Sequence, residues 1–235
     1  MTRFDTFASI LADLGTPIAP RATLLDFGCG SGGLVKDASA RGIDAYGCDV
    51  DFDAGSNDPA LVAEMRGTNR VRLIETPYRL PFDDATFDVV VSDQVFEHVR
   101  DYPQAIAELH RVMKPGAAFL HFFPSRYIVI EPHSFVPFGA RFTHRFWLAT
   151  WAALGVRNRY QSGLSVRETV ERNAAFARTF VNYLPHAEIR RHFSRGFRIR
   201  GVERAFMARS PRARLFLLPA LYRLFWSHCI HGVKV

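Results

Sequence analysis

Residues 24–33 read Leu-Leu-Asp-Phe-Gly-Cys-Gly-Ser-Gly-Gly. Strand-forming residues here lead into glycines, which permit a tight turn and a close approach of the backbone to a ligand at the start of a helix. On both sides of this stretch, short apolar runs alternate with helical patterns, which is typical of a parallel sheet built from strand–helix units. The pattern therefore predicts an α/β domain with a ligand-binding turn at residues 26–33.

The apolar runs in the first half of the chain predict five strands, at Thr23–Phe27, Ala45–Cys48, Val71–Ile74, Val89–Ser92 and Ala117–Phe123. Helical patterns between them predict helices at Leu34–Arg41, Pro59–Arg66 and Tyr102–Met113. The basic, proline- and glycine-containing residues 114–116 predict a helix stop before the fifth strand.

The alternation breaks after Ser125 for about 70 residues, which is too long for an ordinary loop and indicates a functional insertion or lid. Ser165 and Glu168 form a capping-box pattern in front of a helix. The rest of the chain predicts a helix at Ala187–Phe193, a strand at Phe197–Phe206 and a terminal edge strand at Ser227–Val235. The chain thus divides into one domain, 1–235, with a core at 20–125, a lid at 126–196 and closing strands and helix at 197–235.

The composition is that of a folded protein, with 48% apolar and 23% charged residues. The three cysteines, Cys29, Cys48 and Cys229, are an odd number without metal-ligand spacing, so we expect neither a disulfide framework nor a metal site. The N-terminal residues lack the features of a signal peptide, and no 18-residue apolar run is present. These features favour a cytoplasmic protein.

The charges are segregated along the chain. Through Ser125 there are 11 Lys+Arg against 18 Asp+Glu, a net −7, and from Arg126 there are 19 against 5, a net +14, which sum to the overall +7. A basic second half suggests a phosphorylated substrate, a nucleic acid or a lipid surface as partner, and a solvated basic face is the simpler explanation.

The glycine pattern at residues 28–33 also satisfies the dinucleotide fingerprint, so NAD is one candidate ligand. Three further motifs favour another cofactor: Asp49 at the end of the second strand, Leu80-Pro-Phe-Asp-Asp-Ala-Thr-Phe-Asp-Val-Val-Val-Ser92, and Glu108-Leu-His-Arg-Val-Met-Lys-Pro-Gly116. With Asp26 two residues before the first glycine, where NAD proteins usually carry an apolar residue, these motifs resemble the methyltransferase type 11 group of class I S-adenosylmethionine (SAM)-dependent enzymes. The resemblance covers roughly residues 20 to 125.

This resemblance implies a Rossmann-like, mostly parallel seven-stranded sheet of order 3-2-1-4-5-7-6, with helices on both faces and a helical lid after strand 5. It implies SAM as cofactor and S-adenosylhomocysteine as product, with Asp26 near the methionine ammonium and Asp49 on the ribose hydroxyls. The expected cofactor contacts are Asp26, Gly28, Cys29, Gly30, Gly32, Asp49, Val50, Asp93 and Gln94. Thr76 stands where the family often has an aspartate, so adenine recognition by Glu75, Tyr78 or backbone groups stays open.

The acceptor side is expected after the fourth and fifth strands. The Glu131-Pro-His133 segment resembles one in type 11 members of glycan and polysaccharide pathways, and this makes His133 the first candidate for general base, with Glu131 orienting it. His98, after the fourth strand, is the second candidate. The proposed substrate contacts are Arg126, Tyr127, Arg141 and Arg145. A purely structural turn at Glu131–His133 is the alternative.

The leading functional hypothesis is SAM-dependent O-methylation of a saccharide or glycan hydroxyl, with an acceptor that is anionic or lipid-linked. The alternatives are a quinone, lipid or other small-metabolite acceptor, a non-catalytic SAM-binding protein, and an NAD-dependent oxidoreductase. Nucleic-acid methylation is disfavoured because no Asn/Asp-Pro-Pro-Tyr-type motif is present. The apolar, basic and aromatic stretch Pro211–Trp226 suggests either a peripheral contact with the inner face of a membrane or packing across the sheet.

Overall fold

A computed structural model describes residues 2–52, 58–208 and 218–235 of the chain. Within these ranges the strands are β1 (Thr23–Phe27), β2 (Asp44–Asp49), β3 (Val71–Leu73), β4 (Phe87–Asp93), β5 (Met113–Pro124), β6 (Phe197–Gly201) and β7 (Ser227–Lys234). They form one seven-stranded sheet of order β3-β2-β1-β4-β5-β7-β6. The first five strands are parallel, and β7 runs antiparallel to both β5 and β6. The expected Rossmann-like sheet is confirmed.

The helices are α1 (Arg3–Asp13), α2 (Gly33–Ser39), α3 (Pro59–Arg66), α4 (Tyr102–Val112), α5 (Arg145–Ala153), α6 (Val166–Thr179), α7 (His186–Phe193), α8 (Glu203–Met207) and α9 (Pro219–Phe225). Successive strand residues point to opposite faces of a sheet. Leu24 of β1 accordingly packs in the core beneath α1 and α2, whereas Leu25 packs in the core beneath α4 and α7. Helices therefore cover both faces, as predicted.

Two predicted strand boundaries are wrong. The helix ends before residues 114–116 as predicted, since α4 stops at Val112, but the strand predicted from Ala117 begins earlier, at Met113, which pairs with Phe87 before the register shifts. The strand predicted to reach Phe206 ends at Gly201 and is followed by α8. Val202 and Phe206, four residues apart, lie on one face of this helical turn and pack in the first core.

The first helix, α1, has no counterpart in the predictions. Its signal is visible in retrospect, because Thr2 and Asp5 form a capping box. The buried side chains of α1 recur at helical spacing and are Phe4, Phe7, Ile10 and Leu11. This helix matters for the site, because it brings Arg3 to the carboxyl edge of the sheet.

The segment after β5 contains a small core of its own. The helices α5 and α6 pack around Val136, Leu148 and Val170. The predicted capping box is confirmed, with Ser165 and Glu168 bonded reciprocally at the start of α6. The helix α7, in contrast, packs on the sheet, because Ile189 and Phe193 belong to the second core.

The C-terminal hypothesis of an interfacial helix concerns residues 211–226, of which 211–217 lie outside the described residues. Pro219 is the first residue of α9 and so starts this helix instead of kinking it. Tyr222 of α9 is buried, and its ring contacts that of Phe206. In the part of the chain that the structure describes, no helix is both long and apolar enough to cross a bilayer.

Candidate active site

The glycine loop lies at the carboxyl edge of the sheet, between β1 and α2. The N–H groups of Gly28 and Cys29 both donate to the Cys48 carbonyl, at 2.8 and 3.1 Å, and fold the loop over the end of β2. Gly28 has a φ of +79°, and a Cβ there would lie 2.2 Å from a methyl carbon of Val95. Gly30 has a φ of +50°, but a Cβ there would meet nothing within 4 Å. The loop is therefore packed on its inner side and open at Gly30.

Asp49 ties the end of β2 to this loop. One of its carboxylate oxygens accepts from the Gly30 N–H and the other from the Val50 N–H, both at 2.7 Å. Gly32 is the residue preceding α2, and its N–H donates to the Cys29 carbonyl at 2.9 Å. The loop is held in shape by its own hydrogen bonds, so the space beside Gly30 and the spare lone pairs of Asp49 are what it offers to a ligand.

Two more carboxylates lie at the same edge, at the end of β1 and the end of β4. Asp26 is buried, and burial together with the negative charges of Asp93 and Asp49 raises its pKa to about 8. Asp93 forms an ion pair with Arg3, although burial still raises the pKa of Asp93. Three strand ends thus contribute three carboxyl groups and α1 contributes one guanidinium, and a cationic ligand at this edge would favour the ionised form of Asp26.

Gln94 follows Asp93 with a φ of +59°, and its N–H donates to the Phe122 carbonyl at 2.8 Å. Its side chain is exposed at the carboxyl edge. Of the residues left open for adenine recognition, Glu75 is exposed, whereas the Tyr78 hydroxyl accepts from the N–H groups of Arg100 and Asp101 at 3.2 and 2.8 Å. Tyr78 therefore acts here as a brace for the start of α4.

Beyond β5, Glu131 and His133 form a tightly bonded turn. The Glu131 carboxylate accepts from the His133 Nδ1 at 2.7 Å and from the His133 N–H at 3.0 Å. Ser134 donates to it from its N–H at 2.6 Å and its hydroxyl at 2.7 Å, and the Tyr183 hydroxyl donates at 2.8 Å. Burial opposes ionisation of Glu131, but the hydrogen bonds and charge of His133 and Ser134 hold the pKa of Glu131 below its ordinary value.

The bond to Glu131 determines the tautomer of His133. Because an ionised carboxylate can only accept, the Nδ1 of His133 carries the proton, and Nε2 keeps its lone pair. The His133 ring also contacts the ring of Phe176, at a centroid distance of 5.0 Å. A fixed imidazole with a free basic nitrogen is the arrangement that a general base requires.

His98 lies beside His133, with ring centroids 5.0 Å apart at an angle of 79°. It ends a short 3₁₀ turn, Phe96–His98, and its Nδ1 bonds the Phe180 carbonyl at 2.7 Å. Burial lowers the pKa of His98, so its ring is neutral near pH 7. The two predicted catalytic histidines, from segments 35 residues apart, are thus brought together.

Glu97 precedes His98 and is 1% exposed. Among the described residues, neither of its carboxylate oxygens has a hydrogen-bond partner, and the nearer one lies 3.9 Å from the His98 Nε2. Burial, followed by the charges of Asp93 and Glu131, raises the pKa of Glu97 to about 8.

A cavity of about 210 Å³ opens beside Glu131. Arg126 and Arg141 line it, and within the described ranges neither guanidinium forms an ion pair. The other two predicted substrate contacts lie elsewhere: the Arg145 guanidinium is 3.8 Å from Glu171, and the Tyr127 side chain is exposed outside the cavity lining. The cavity therefore presents two unpaired positive charges.

Sequence reasoning missed three residues of this site: Arg3, Tyr183 and Asn182. Tyr183 bonds Glu131 from a position 52 residues further along the chain. Asn182 donates from its N–H to the Glu97 carbonyl at 2.6 Å. No local motif marks either residue, and only the fold of the segment after α6 brings them to the site.

The comparisons with known proteins agree with this geometry. Residues 25–121 match the family model described as "Methyltransferase domain", the type 11 group. The 2-phytyl-1,4-naphtoquinone methyltransferase of Nostoc punctiforme is 35% identical over 99 residues, which are 40% of this chain and 43% of that protein. The chain spans less than half the length of the curated relatives it matches first.

Two solved structures share the whole fold at low identity. A chain of the complex between the Haloferax volcanii Trm112 methyltransferase activator and the putative methyltransferase has a TM-score of 0.51 and 20% identity, covering 100% of this chain and 98% of that one. The geranyl diphosphate C-methyltransferase of Streptomyces coelicolor has a TM-score of 0.54 and 18% identity, covering 98% and 76%.

The sheet order matches the Rossmann-like fold of these methyltransferase structures. Residues 25–121, which carry the glycine loop and the carboxylates at the strand ends, match the type 11 methyltransferase model. The predicted recognition is confirmed at this level, and the glycan-pathway subgroup stays a prediction.

Proposed function

We propose that this chain is a SAM-dependent methyltransferase that methylates a hydroxyl group of a small anionic acceptor, with a saccharide or glycan as the acceptor class. The observation that carries the proposal is the hydrogen-bonded Glu131–His133 pair, because Glu131 lines the cavity together with Arg126 and Arg141 and fixes the His133 ring through Nδ1.

The donor half of the site fits the cofactor. SAM supplies an electrophilic methyl group on a sulfonium, together with an ammonium group, so it carries two positive charges that suit the carboxylates of Asp26, Asp49 and Asp93. The open side of Gly30 gives the cofactor room against the loop. Asp26 disfavours NAD, because NAD proteins usually carry an apolar residue at that position.

The chemistry on the acceptor side follows from the fixed imidazole. When bound, SAM would supply the methyl group to the hydroxyl oxygen and leave as a neutral thioether with the S–CH₃ bonding pair, so what this chain has to remove is the hydroxyl proton. The hydroxyl proton passes to the His133 Nε2, and Glu131 stabilises the resulting imidazolium. A positioned base of this kind contributes ~10²–10⁴-fold to the rate.

Calorimetry tests the cofactor assignment. We expect binding of SAM and S-adenosylhomocysteine but not of NAD, and Asp49→Asn should weaken SAM binding about tenfold by removing a charge and loosening the loop. Asp83→Asn is the matched control, because Asp83 is exposed before β4, at the opposite edge of the sheet. Preferential binding of NAD would overturn the cofactor assignment.

Turnover tests the base. Conversion of SAM to S-adenosylhomocysteine should be measured with a panel of phosphorylated sugars, uronic acids and hydroquinones. His133→Ala should lower kcat by ~10²–10⁴-fold and leave SAM affinity unchanged. His144→Asn is the control, because His144 caps α5 and asparagine caps helices well. An unchanged kcat in His133→Ala would remove this residue from the chemistry.

A quinone-derived acceptor is the second candidate, since the Nostoc punctiforme relative is named as a naphthoquinone methyltransferase. The family match ends at residue 121, before the turn and cavity that we assign to the acceptor. Activity on hydroquinones but on none of the anionic sugars would favour this candidate.

A further inference from the structure

Three side chains beside the proposed acceptor site converge as metal ligands would. Glu97, His98 and His133 each offer one ligand atom, and these atoms all lie within 4.8 Å of one another. Glu97 and His98 belong to the 3₁₀ turn that follows β4, and His133 belongs to the hydrogen-bonded turn with Glu131 in the segment after β5.

The hydrogen bonds of the two imidazoles leave the same nitrogen available to a metal ion. The Phe180 carbonyl and the Glu131 carboxylate can only accept hydrogen bonds, so the Nδ1 of His98 and the Nδ1 of His133 both carry their protons. Each ring therefore keeps a lone pair on Nε2. Metal-binding histidines in proteins are held in this way, with the second ring nitrogen donating to a carbonyl or carboxylate.

Glu97 provides the independent observation. It is 1% exposed, and neither carboxylate oxygen finds a donor within the described ranges, although buried carboxylates are almost always paired. Its backbone cannot withdraw easily, because the Glu97 carbonyl accepts from Asn182 at 2.6 Å. A cation beside the two Nε2 atoms would satisfy this carboxylate.

We propose that Glu97, His98 and His133 form a binding site for a divalent transition-metal cation such as Zn²⁺ or Co²⁺. Two imidazoles and one carboxylate are a common ligand set for such ions, and they leave coordination positions open. Ligand atoms ~2.0–2.2 Å from a tetrahedral metal lie ~3.3–3.6 Å from one another, so these atoms, which lie within 4.8 Å, would draw together by up to ~1.5 Å.

The role of the cation rests on the proposed function, whereas its binding does not. An acceptor hydroxyl that coordinates an open position has a lowered pKa and releases its proton to solvent. In the metal-loaded protein, His133 then serves as a ligand and no longer as the proton acceptor. Without the cation, the acceptor hydroxyl is activated by proton transfer to His133; with the cation bound, it is activated by coordination to the metal ion.

Titration of the chelator-treated full chain with Co²⁺, followed by calorimetry and by visible absorption, tests the site. We expect one cation per chain, with binding at least tenfold weaker in Glu97→Gln, a nearly isosteric change that keeps the fold. His98→Ala should have a similar effect, and Glu131→Gln should weaken binding 10–100-fold by releasing the His133 ring. His144→Asn should bind like the unchanged chain.

The proposal would be overturned if the unchanged chain bound Co²⁺ no more tightly than the Glu97→Gln variant does. SAM titrations on the same samples keep the two proposals apart. A chain that binds Co²⁺ but not SAM would contradict the proposed function alone, and one that binds SAM but not Co²⁺ would contradict the metal site alone.

Discussion

Gly28 offers the sharpest test of how the glycine loop is built. Its φ of +79° costs a side chain ~1–2 kcal/mol. A Cβ would also lie 2.2 and 3.0 Å from the two methyl carbons of Val95, whose β-branched side chain has little rotational freedom. Overpacking of this kind costs ~1–3 kcal/mol, so Gly28→Ala should lower the free energy of unfolding by about 2–5 kcal/mol.

The contribution of the clash can be separated from that of the backbone. Gly30→Ala has a similar positive φ but no atom within 4 Å of the new Cβ, so it should cost only ~1–2 kcal/mol. Val95→Ala alone removes two methyl groups and should cost ~1–2 kcal/mol. Because Val95→Ala also removes both methyl carbons that clash with the new Cβ, the double variant Gly28→Ala/Val95→Ala should be more stable than the sum of the two single changes predicts, by at least ~1 kcal/mol.

Urea unfolding at constant pH, monitored by tryptophan fluorescence and circular dichroism, measures all four free energies. Strict additivity of Gly28→Ala and Val95→Ala would refute the proposed contact between the loop and the turn after β4. Equal costs for Gly28→Ala and Gly30→Ala would refute it as well, because only the first position has a neighbour to clash with.

Two further predictions concern acid stability and the acceptor. Burial lowers the pKa of His121 to about 3, so only the unfolded chain takes up a proton there below pH ~6.5. The contribution of neutral His121 to the free energy of unfolding is complete above pH ~6.5 and falls by up to ~1.4 kcal/mol per pH unit as the pH drops towards ~3. In urea unfolding, the stability advantage of the unchanged chain over His121→Gln should therefore shrink with falling pH. A constant difference would contradict the assignment. Arg126→Ala and Arg141→Ala should each raise KM for an anionic acceptor about tenfold without changing SAM affinity. Arg145→Ala is the control and should change KM less than twofold, because Arg145 lies outside the cavity lining. Equal effects of all three variants would argue against the cavity as the anion site.

The donor half of the molecule was largely predictable from the sequence, because its signals are local. The glycine run and the aspartates stand directly at strand ends, and parallel strands bring their carboxyl ends to one edge. Asp26, Asp49 and Asp93 are therefore neighbours by topology alone. Arg3 was not predicted, because α1 precedes the first strand and its only local signal is the capping box of Thr2 and Asp5.

The acceptor half was predictable only in part. The Glu131-Pro-His133 turn was visible as a motif, but its donors Ser134 and Tyr183 and the neighbouring Glu97 were not assigned together. Such a cluster depends on how the segment after β5 folds back, and no periodicity in the sequence encodes that path. The strand predicted up to Phe206 failed for a related reason, since packing against the sheet overrode a local alternation.

The charge segregation of the sequence gains a structural interpretation at this site. Several arginines of the basic half are engaged by backbone carbonyls, as Arg157 is by Ala152 and Arg172 is by Tyr160, so the basic character of the second half is partly structural. Arg126 and Arg141 differ, because they face the cavity beside Glu131. If the proposed function holds, the acidic strand ends attract the cationic donor and these two guanidiniums attract an anionic acceptor, so each half of the site favours one reactant and disfavours the other. Under the proposed function, we therefore expect the two reactants to bind in separate places, the donor at the strand ends and the acceptor in the cavity beside Glu131.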